Sequence, residues 1–202
     1  MGALMMATAE DHNARGPYTY PVPPVDGWKA EDLDTIPGLP PHTELIDGGL
    51  FYVSPQADFH MAVLRWLESA LWNQAPDELY VAREMTVRLS PRDRVEPDLM
   101  AVLRSERTSV RQTWYEPSAV RLAVEIVSPE SAVRDRGVKP RKYAEAGIPH
   151  FWRVEENEGL PVVYVHELDP VTKTYAVNGI FHGKLAVDLP FPITVDLAGM
   201  RF

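Results

Sequence analysis

Two carboxylates in the sequence stand where an acidic side chain is either costly or well placed for chemistry. Glu125 lies in the middle of VRLAVEIVS (residues 120–128), a nearly continuous apolar run typical of a central, doubly covered strand. A carboxylate there needs a cation or strong hydrogen-bond donors to compensate its burial. Asp98 follows Pro97 at the start of EPDLMAVL (96–103), a second predicted strand. If the two carboxylates meet at neighbouring strand ends, their oxygens suit a hard divalent cation. Alternatively, Glu125 faces a wet edge or pairs with an arginine.

A basic run, RDRGVKPRKY, covers residues 134–143. On a continuous helix Asp135 and Lys139 would share one face at four-residue spacing, with Lys142 close by. Proline is tolerated only in a first helical turn, so Pro140 predicts a helix that begins near Lys139 and leaves Asp135 in a loop. Lys139 would then point toward the end of the sheet. The alternative is a solvated basic face on an ordinary helix.

Glu44 and His60 are the other candidate site residues. Glu44 opens ELIDG, the first half of a predicted hairpin in which Asp47-Gly48 supplies the positive φ of a tight turn. His60 opens a predicted helix over residues 57–75, where a histidine is more often a helix-start or packing residue than a ligand. A catalytic or phosphate-contacting role is the alternative for His60. One face of this helix is predicted to carry Phe59, Val63, Trp66, Leu67 and Leu71.

These elements predict an α/β fold with a mixed central sheet flanked by helices. LYVAREMTVRL (79–89) alternates in part and is expected to form one strand beside the strands at 96–103 and 120–128. YAEAGIP ends a helix, since Gly147 fits the residue after its last turn. The segments HFWRVE, PVVYVHEL, KTYAVN and KLAVDL then follow as further strands.

The charge distribution permits a polyanionic substrate in spite of a net charge of −9. Residues 1–58 and 155–202 together carry 5 Lys and Arg against 16 Asp and Glu, whereas residues 59–154 carry 15 against 13. The middle of the chain is therefore slightly basic, and a bound divalent cation would make it more so.

The rest of the composition bounds the class of protein. The Pro-rich residues 1–26 predict a flexible arm, followed by a single domain over 27–202. There is no cysteine, so any metal site must use oxygen or imidazole. No apolar run has the length of a spanning helix, and the first residues lack a basic leader. We therefore expect a cytoplasmic protein without a membrane segment.

Taken together, these motifs resemble the PD-(D/E)XK nuclease superfamily. More narrowly, the order ELIDG, SP, a histidine at a helix start, PD, VEIVSPES and D-x-x-x-K-x-x-x-YAEAGIPHFWRV is similar to the Uma-two-like restriction-endonuclease family. The likeness spans roughly residues 28–177. It implies a restriction-endonuclease-like core, a divalent cation such as Mg²⁺ or Mn²⁺, and hydrolysis of a phosphodiester in DNA.

The resemblance assigns roles to particular residues. Asp98 and Glu125 would be metal ligands, joined by the carbonyl of Ile126, and Glu44 would bind metal or orient water. The superfamily's basic pattern has a lysine two residues after the second acid, where this chain has Val127. A lysine from elsewhere must then serve, and two are candidates. Lys139 comes first because it matches the D-x-x-x-K spacing, and Lys142 comes second.

Two other classes of function stay open from the sequence. The absence of a lysine at Val127 and the acidic chain ends favour a catalytically inactive nuclease-fold module that binds DNA or a protein partner. Paired carboxylates also serve glycoside hydrolases as acid and base, although the nearby lysine and the buried-strand setting of the carboxylate argue against that interpretation. Cleavage of both DNA strands by one small site per subunit often needs two copies, which makes a homodimer compatible with the nuclease hypothesis.

Overall fold

The structure is a computed structural model that describes residues 21–53 and 56–200. Most of the predicted N-terminal arm therefore lies outside the described residues. The strands in chain order are β1 Thr43–Ile46, β2 Gly49–Tyr52, β3 Leu79–Arg83, β4 Thr86–Ser90, β5 Asp93–Val95, β6 Leu99–Leu103, β7 Trp114–Tyr115, β8 Val120–Ile126, β9 His150–Asn157, β10 Leu160–Asp169, β11 Thr174–His182, β12 Lys184–Val187 and β13 Ile193–Asp196. The helices are α1 Asp58–Gln74 and α2 Lys139–Glu145. Shorter turns are 3₁₀-helical at Ala30–Asp34, Arg104–Glu106 and Pro117–Ala119 and π-helical at Arg134–Val138.

Six strands form the main sheet, in the order β11-β10-β9-β8-β6-β3. β8 and β9 run parallel, while every other neighbouring pair in this sheet is antiparallel. The predicted strand over 120–128 is its apolar centre, β8, whose residues are nearly all buried. The predicted α/β fold with a mixed central sheet is confirmed, because α1 covers one face of the sheet and α2 lies on the other.

α1 packs on the main sheet through an apolar stripe at helical spacing. Val63, Leu67 and Leu71 are buried as predicted, and Leu64 completes the stripe. Trp66 was expected on the same face, and that prediction is wrong. Its side chain is 38% exposed, and its indole N–H donates to the carbonyl of Asp196 at 3.0 Å. An amphipathic ring with a polar tip suits this boundary position better than the core.

Within the described residues, no helix combines the length and apolarity that crossing a membrane requires.

A second sheet covers the other face, in the order β2-β1-β5-β4-β7. Apolar side chains from both sheets and from α2 pack between them, including Val87, Val95, Met100, Ala123 and Tyr143. The predicted hairpin is confirmed as β1 and β2, which pair antiparallel around a two-residue turn. Asp47 and Gly48 both have positive φ there, as the favoured hairpin turn requires. β12 and β13 form a separate antiparallel pair. Their apolar side chains pack into the cluster under α1, which is the apolar core between α1 and the main sheet.

The segment 79–89 does not form the one strand that its alternation predicted. It divides into β3, at the edge of the main sheet, and β4, in the second sheet. The chain turns between them at Glu84, whose φ of 50° lies in the left-handed region. Apart from Arg83, the alternation of apolar side chains continues on the far side of the break, so the spacing alone predicts one strand. Glu84 N–H donates to the carbonyl of Asp98 at 3.2 Å, which places the break beside the start of β6.

Leu71 and Trp72 provide a test of the buried face of α1. We expect Leu71→Ala to lower the free energy of unfolding by about 2–5 kcal/mol, because it leaves a cavity against the sheet. Trp72→Ala is the matched control, since this side chain is 56% exposed and packs edge-on against Tyr80. Its loss should stay below about 1.5 kcal/mol. Urea denaturation measures both values, and equal losses would contradict this packing.

Candidate active site

The pairing of β6 with β8 brings Asp98 and Glu125 together. Leu99 lies opposite Val124 in this antiparallel register, so extending it by one residue places Asp98 opposite Glu125. Asp98 Oδ2 accepts a hydrogen bond from Ile126 N–H at 2.6 Å, which ties the two strand ends. Side chains alternate along a strand. Glu125 therefore points with Ala123 toward the second sheet, while Ile126 faces the cluster under α1.

Glu44 reaches the same place from the second sheet. Leu45 of β1 lies opposite Arg94 of β5, and β5 leads directly into the segment that carries Asp98. Glu44 Oε1 accepts a hydrogen bond from Glu96 N–H at 2.8 Å, and its side chain is buried. The three predicted carboxylates therefore meet where the two sheets adjoin.

The Lys139 ammonium lies among these carboxylates. Its Nζ is 2.8 Å from Glu44 Oε1, 3.0 Å from Glu125 Oε2 and 3.5 Å from Asp135 Oδ1. α2 begins at Lys139 with Pro140 in its first turn, as predicted. Asp135 is not in a loop, because the π-helical turn runs directly into α2. This continuity places Asp135 and Lys139 on one face and turns both toward Glu125.

Tyr143 adds a second donor to Glu125. It lies one turn beyond Lys139 on α2, and its hydroxyl donates to Glu125 Oε1. Both oxygens of the Glu125 carboxylate are thus held by side chains of α2. Burial of this carboxylate in the central strand is compensated by donors, and the alternative of a wet sheet edge does not apply.

His60 contacts Asp98 from α1. Its Nε2 is 2.9 Å from Asp98 Oδ1, and the ring is buried. An ionised carboxylate can only accept, so His60 Nε2 is the donor in this contact. Its Nδ1 is buried without a hydrogen-bond partner in the described part of the chain. Each oxygen of the Asp98 carboxylate therefore accepts one hydrogen bond, Oδ1 from His60 and Oδ2 from Ile126 N–H.

Burial and mutual repulsion shift the pKa values of this cluster. Burial raises the pKa of the Glu125 carboxyl well above its ordinary value, and Asp135, Asp98 and Glu44 add to the rise against the opposing charge of Lys139. Burial lowers the pKa of the Lys139 ammonium, but the surrounding carboxylates outweigh it and hold that pKa well above its usual range. The cluster therefore contains more buried acid than its one lysine neutralises.

Lys142 lies away from this cluster. Its Nζ is 2.7 Å from Asp47 Oδ1 and 2.7 Å from Asp93 Oδ1. It therefore ties α2 to the hairpin turn and to the start of β5. Of the two candidate lysines, only Lys139 is brought to Asp98, Glu125 and Glu44.

The cluster forms the floor of a cleft of about 650 Å³. Its lining also includes apolar and aromatic groups from the loop before β1, from the end of β2 and the residue after it, and from α1, namely Pro40, Pro41, Tyr52, Val53 and Met61. Carboxylate and carbonyl oxygens are the donors that Mg²⁺ and Mn²⁺ prefer. In the described ranges no three His, Asp or Glu side chains are arranged as ligands of an ion, and the Lys139 ammonium lies between the carboxylates. The type of donor atom and the excess of buried acid, but not the present arrangement of the side chains, suit a divalent cation.

Sequence reasoning missed other polar groups of the cleft. His42 Nδ1 lies 2.5 Å from Glu96 Oε1, and this hydrogen bond raises the pKa of His42. Arg134 lines the cleft as well. His42 and Glu96 are 54 positions apart, so no local spacing predicts their contact. The Pro40-Pro41 pair before His42 is the only local signal of an unusual backbone, and His42 has a φ of 57°.

The chain belongs to the Uma2 family of restriction-endonuclease-like proteins. The family model Uma2, described as "Putative restriction endonuclease", matches residues 30–197, and the resemblance seen in the sequence is confirmed. A crystal structure from Anabaena variabilis, described as a putative nuclease, is similar in fold with a TM-score of 0.63. The two chains are 16% identical, and the alignment covers 79% of this chain and 88% of the other. None of the curated proteins matches the sequence.

Removing the central ammonium should cost stability. We expect Lys139→Met to lower the free energy of unfolding by about 3–5 kcal/mol, because it leaves buried carboxylates without their cation. Lys184→Met is the matched control, since Lys184 is exposed on β12 and should change stability by less than about 0.5 kcal/mol. Denaturant unfolding measures both. A Lys139→Met protein as stable as the control would contradict the ion pairing described here.

Proposed function

We propose that the protein is a metal-dependent endonuclease that hydrolyses phosphodiester bonds in DNA. The observation that carries the proposal is the convergence of Glu44, Asp98, Glu125 and Lys139 at the floor of one open cleft. These residues come from both sheets and from α2, and four acidic or basic groups are rarely buried together for stability alone. Membership of the restriction-endonuclease family supports the same reaction class.

The ligands proposed for Mg²⁺ or Mn²⁺ are Asp98 and Glu125, with the carbonyl of Ile126 and the carboxylate of Glu44. When bound, such an ion lowers the pKa of a coordinated water and neutralises charge that develops on the phosphate oxygens. Asp98 is suited to a fixed ligand position because His60 and Ile126 N–H hold its two oxygens. We assign His60 a positioning role through Asp98 and not direct contact with the substrate.

In the superfamily pattern a lysine stands at the position of Val127. We propose that Lys139 takes the role of that lysine. Three carboxylates within 3.5 Å keep its Nζ protonated, so it would act as a hydrogen-bond donor and positive charge, not as a general base. An ammonium at this point can orient the attacking water or stabilise the charged transition state. Lys142 binds Asp47 and Asp93 instead and is proposed only to hold α2 against the hairpin.

Cleavage of DNA should require both the ion and its ligands. We expect plasmid DNA to be cut in the presence of Mg²⁺ or Mn²⁺ and left intact in EDTA, and we expect Asp98→Asn and Glu125→Gln to abolish cleavage. Glu156→Gln is the matched control, because Glu156 is an exposed carboxylate outside the cleft. Undiminished cleavage in EDTA, or by the Asp98→Asn protein, would refute the scheme.

Ion binding has a readout that is independent of activity. An ion that binds only the folded protein raises its thermal midpoint with concentration. Mn²⁺ should therefore raise the midpoint of the wild type and of Glu156→Gln, but not that of Asp98→Asn. This measurement separates a failure to bind the ion from a failure to find the right DNA substrate.

A nuclease-fold protein that binds without cutting is the alternative function. Val127 and the engagement of Lys139 by three carboxylates favour it. Such a protein would bind DNA or a protein partner, would show no divalent-ion binding by calorimetry, and would leave DNA intact. A homodimer stays a prediction under either function.

A further inference from the structure

Arg134 is the only arginine among the described residues that line the cleft. It begins the π-helical turn that leads into α2. The other ammonium or guanidinium group in the lining is that of Lys139, whose charge is already balanced by three carboxylates. Among the described carboxylates none lies within ion-pairing distance of Arg134. Among its described lining residues, the cleft therefore contains one guanidinium whose charge is available to a ligand.

The neighbouring arginine in the same turn behaves differently. Arg136 forms two hydrogen bonds with Glu155, at 3.1 Å and 2.6 Å, and its side chain is outside the cleft. Arg136 thus lies at the surface with its charge neutralised by Glu155. Arg134, in the same turn, lines the cleft without a carboxylate partner among the described residues. Arg134 lies beside an acidic cluster, and yet it forms no ion pair with a carboxylate among the described residues.

The side chain of Arg134 is also held in place. Its guanidinium lies over the ring of Phe51 on β2, 5.6 Å from the ring centroid, within the range of a cation–π contact. Its Nε is buried and has no hydrogen-bond partner in the part of the chain that the structure describes. A desolvated donor without an acceptor is uncommon in folded proteins. The guanidinium thus contacts Phe51, and its Nε has no acceptor among the described residues.

We propose that Arg134 binds a DNA backbone phosphate next to the scissile one and so positions the strand over Asp98, Glu125 and Lys139. This inference rests on the proposed function. A guanidinium matches the two oxygens of a phosphate with paired N–H donors. The cleft floor is acidic and repels the strand, so a fixed cation at its wall supplies the attraction that the floor lacks. Arg134 is a substrate-binding residue in this role and takes no part in bond cleavage.

Two arginine variants of the same turn test this assignment. Steady-state cleavage of an oligodeoxynucleotide duplex is measured with Mn²⁺ for wild type, Arg134→Gln and Arg136→Gln. Each variant removes one positive charge, so a general effect of net charge acts on both alike. We expect Arg134→Gln to raise KM about tenfold with kcat little changed, the loss of one charge-assisted hydrogen-bonded contact. Arg136→Gln should match the wild type.

Salt dependence gives a second readout that a structural role would not move. The slope of log(kcat/KM) against log salt concentration should fall by about 1 in Arg134→Gln, for one lost phosphate contact, and stay unchanged in Arg136→Gln. Arg134→Lys keeps the charge without the paired donors, and it should recover the slope and part of KM. It also serves if Arg134→Gln fails to fold.

The outcomes distinguish this inference from the function on which it rests. A wild type that cuts DNA while Arg134→Gln and Arg136→Gln have equal KM values and equal salt slopes would overturn the role of Arg134 alone. A fall in the kcat of Arg134→Gln with KM and the salt slope unchanged would also overturn the role of Arg134. A wild type that neither binds nor cuts the duplex would overturn the proposed function and this inference with it.

Discussion

The contact of the Lys139 ammonium with Glu44 and Glu125 is the interaction on which the arrangement of the cleft depends. Glu125 lies in the central strand of the main sheet, Glu44 lies on the second sheet, and Lys139 starts α2. All three side chains are nearly fully buried, so each charge would be costly without the others. One ammonium thus compensates buried acids from two sheets, and the cluster contains more acid than this ammonium neutralises.

The sequence predicts the components of this site better than their contacts. Glu125 stands out because a carboxylate interrupts a buried strand, and Asp98 because it begins the neighbouring one. The four-residue spacing of Asp135 and Lys139 places both on one helical face, as the structure shows. Their partners arise from tertiary packing. The contacts of His60 with Asp98 and of His42 with Glu96 join residues 38 and 54 positions apart, for which no periodicity exists.

The errors in the predicted elements have related physical causes. Trp66 satisfies the helical spacing, but the spacing does not fix how far the buried stripe extends around α1, and an indole can serve at its boundary. Residues 79–89 alternate on both sides of Arg83 and Glu84, and one left-handed residue, Glu84, directs the chain to another sheet. A single dihedral angle decides that outcome, and a glutamate gives no hint of it. Proline at the start of α2, by contrast, marks a boundary that the structure keeps.

The position of Glu44 on the β1–β2 hairpin has a consequence for the dynamics of the molecule. The hairpin is the outer part of the second sheet, and Lys142 fastens its turn to α2 through Asp47. Opening of this small unit would withdraw one carboxylate from the cleft and leave the apolar layer between α1 and the main sheet intact. Loss of the arrangement of the cluster can therefore precede global denaturation, as a local event where the two sheets adjoin.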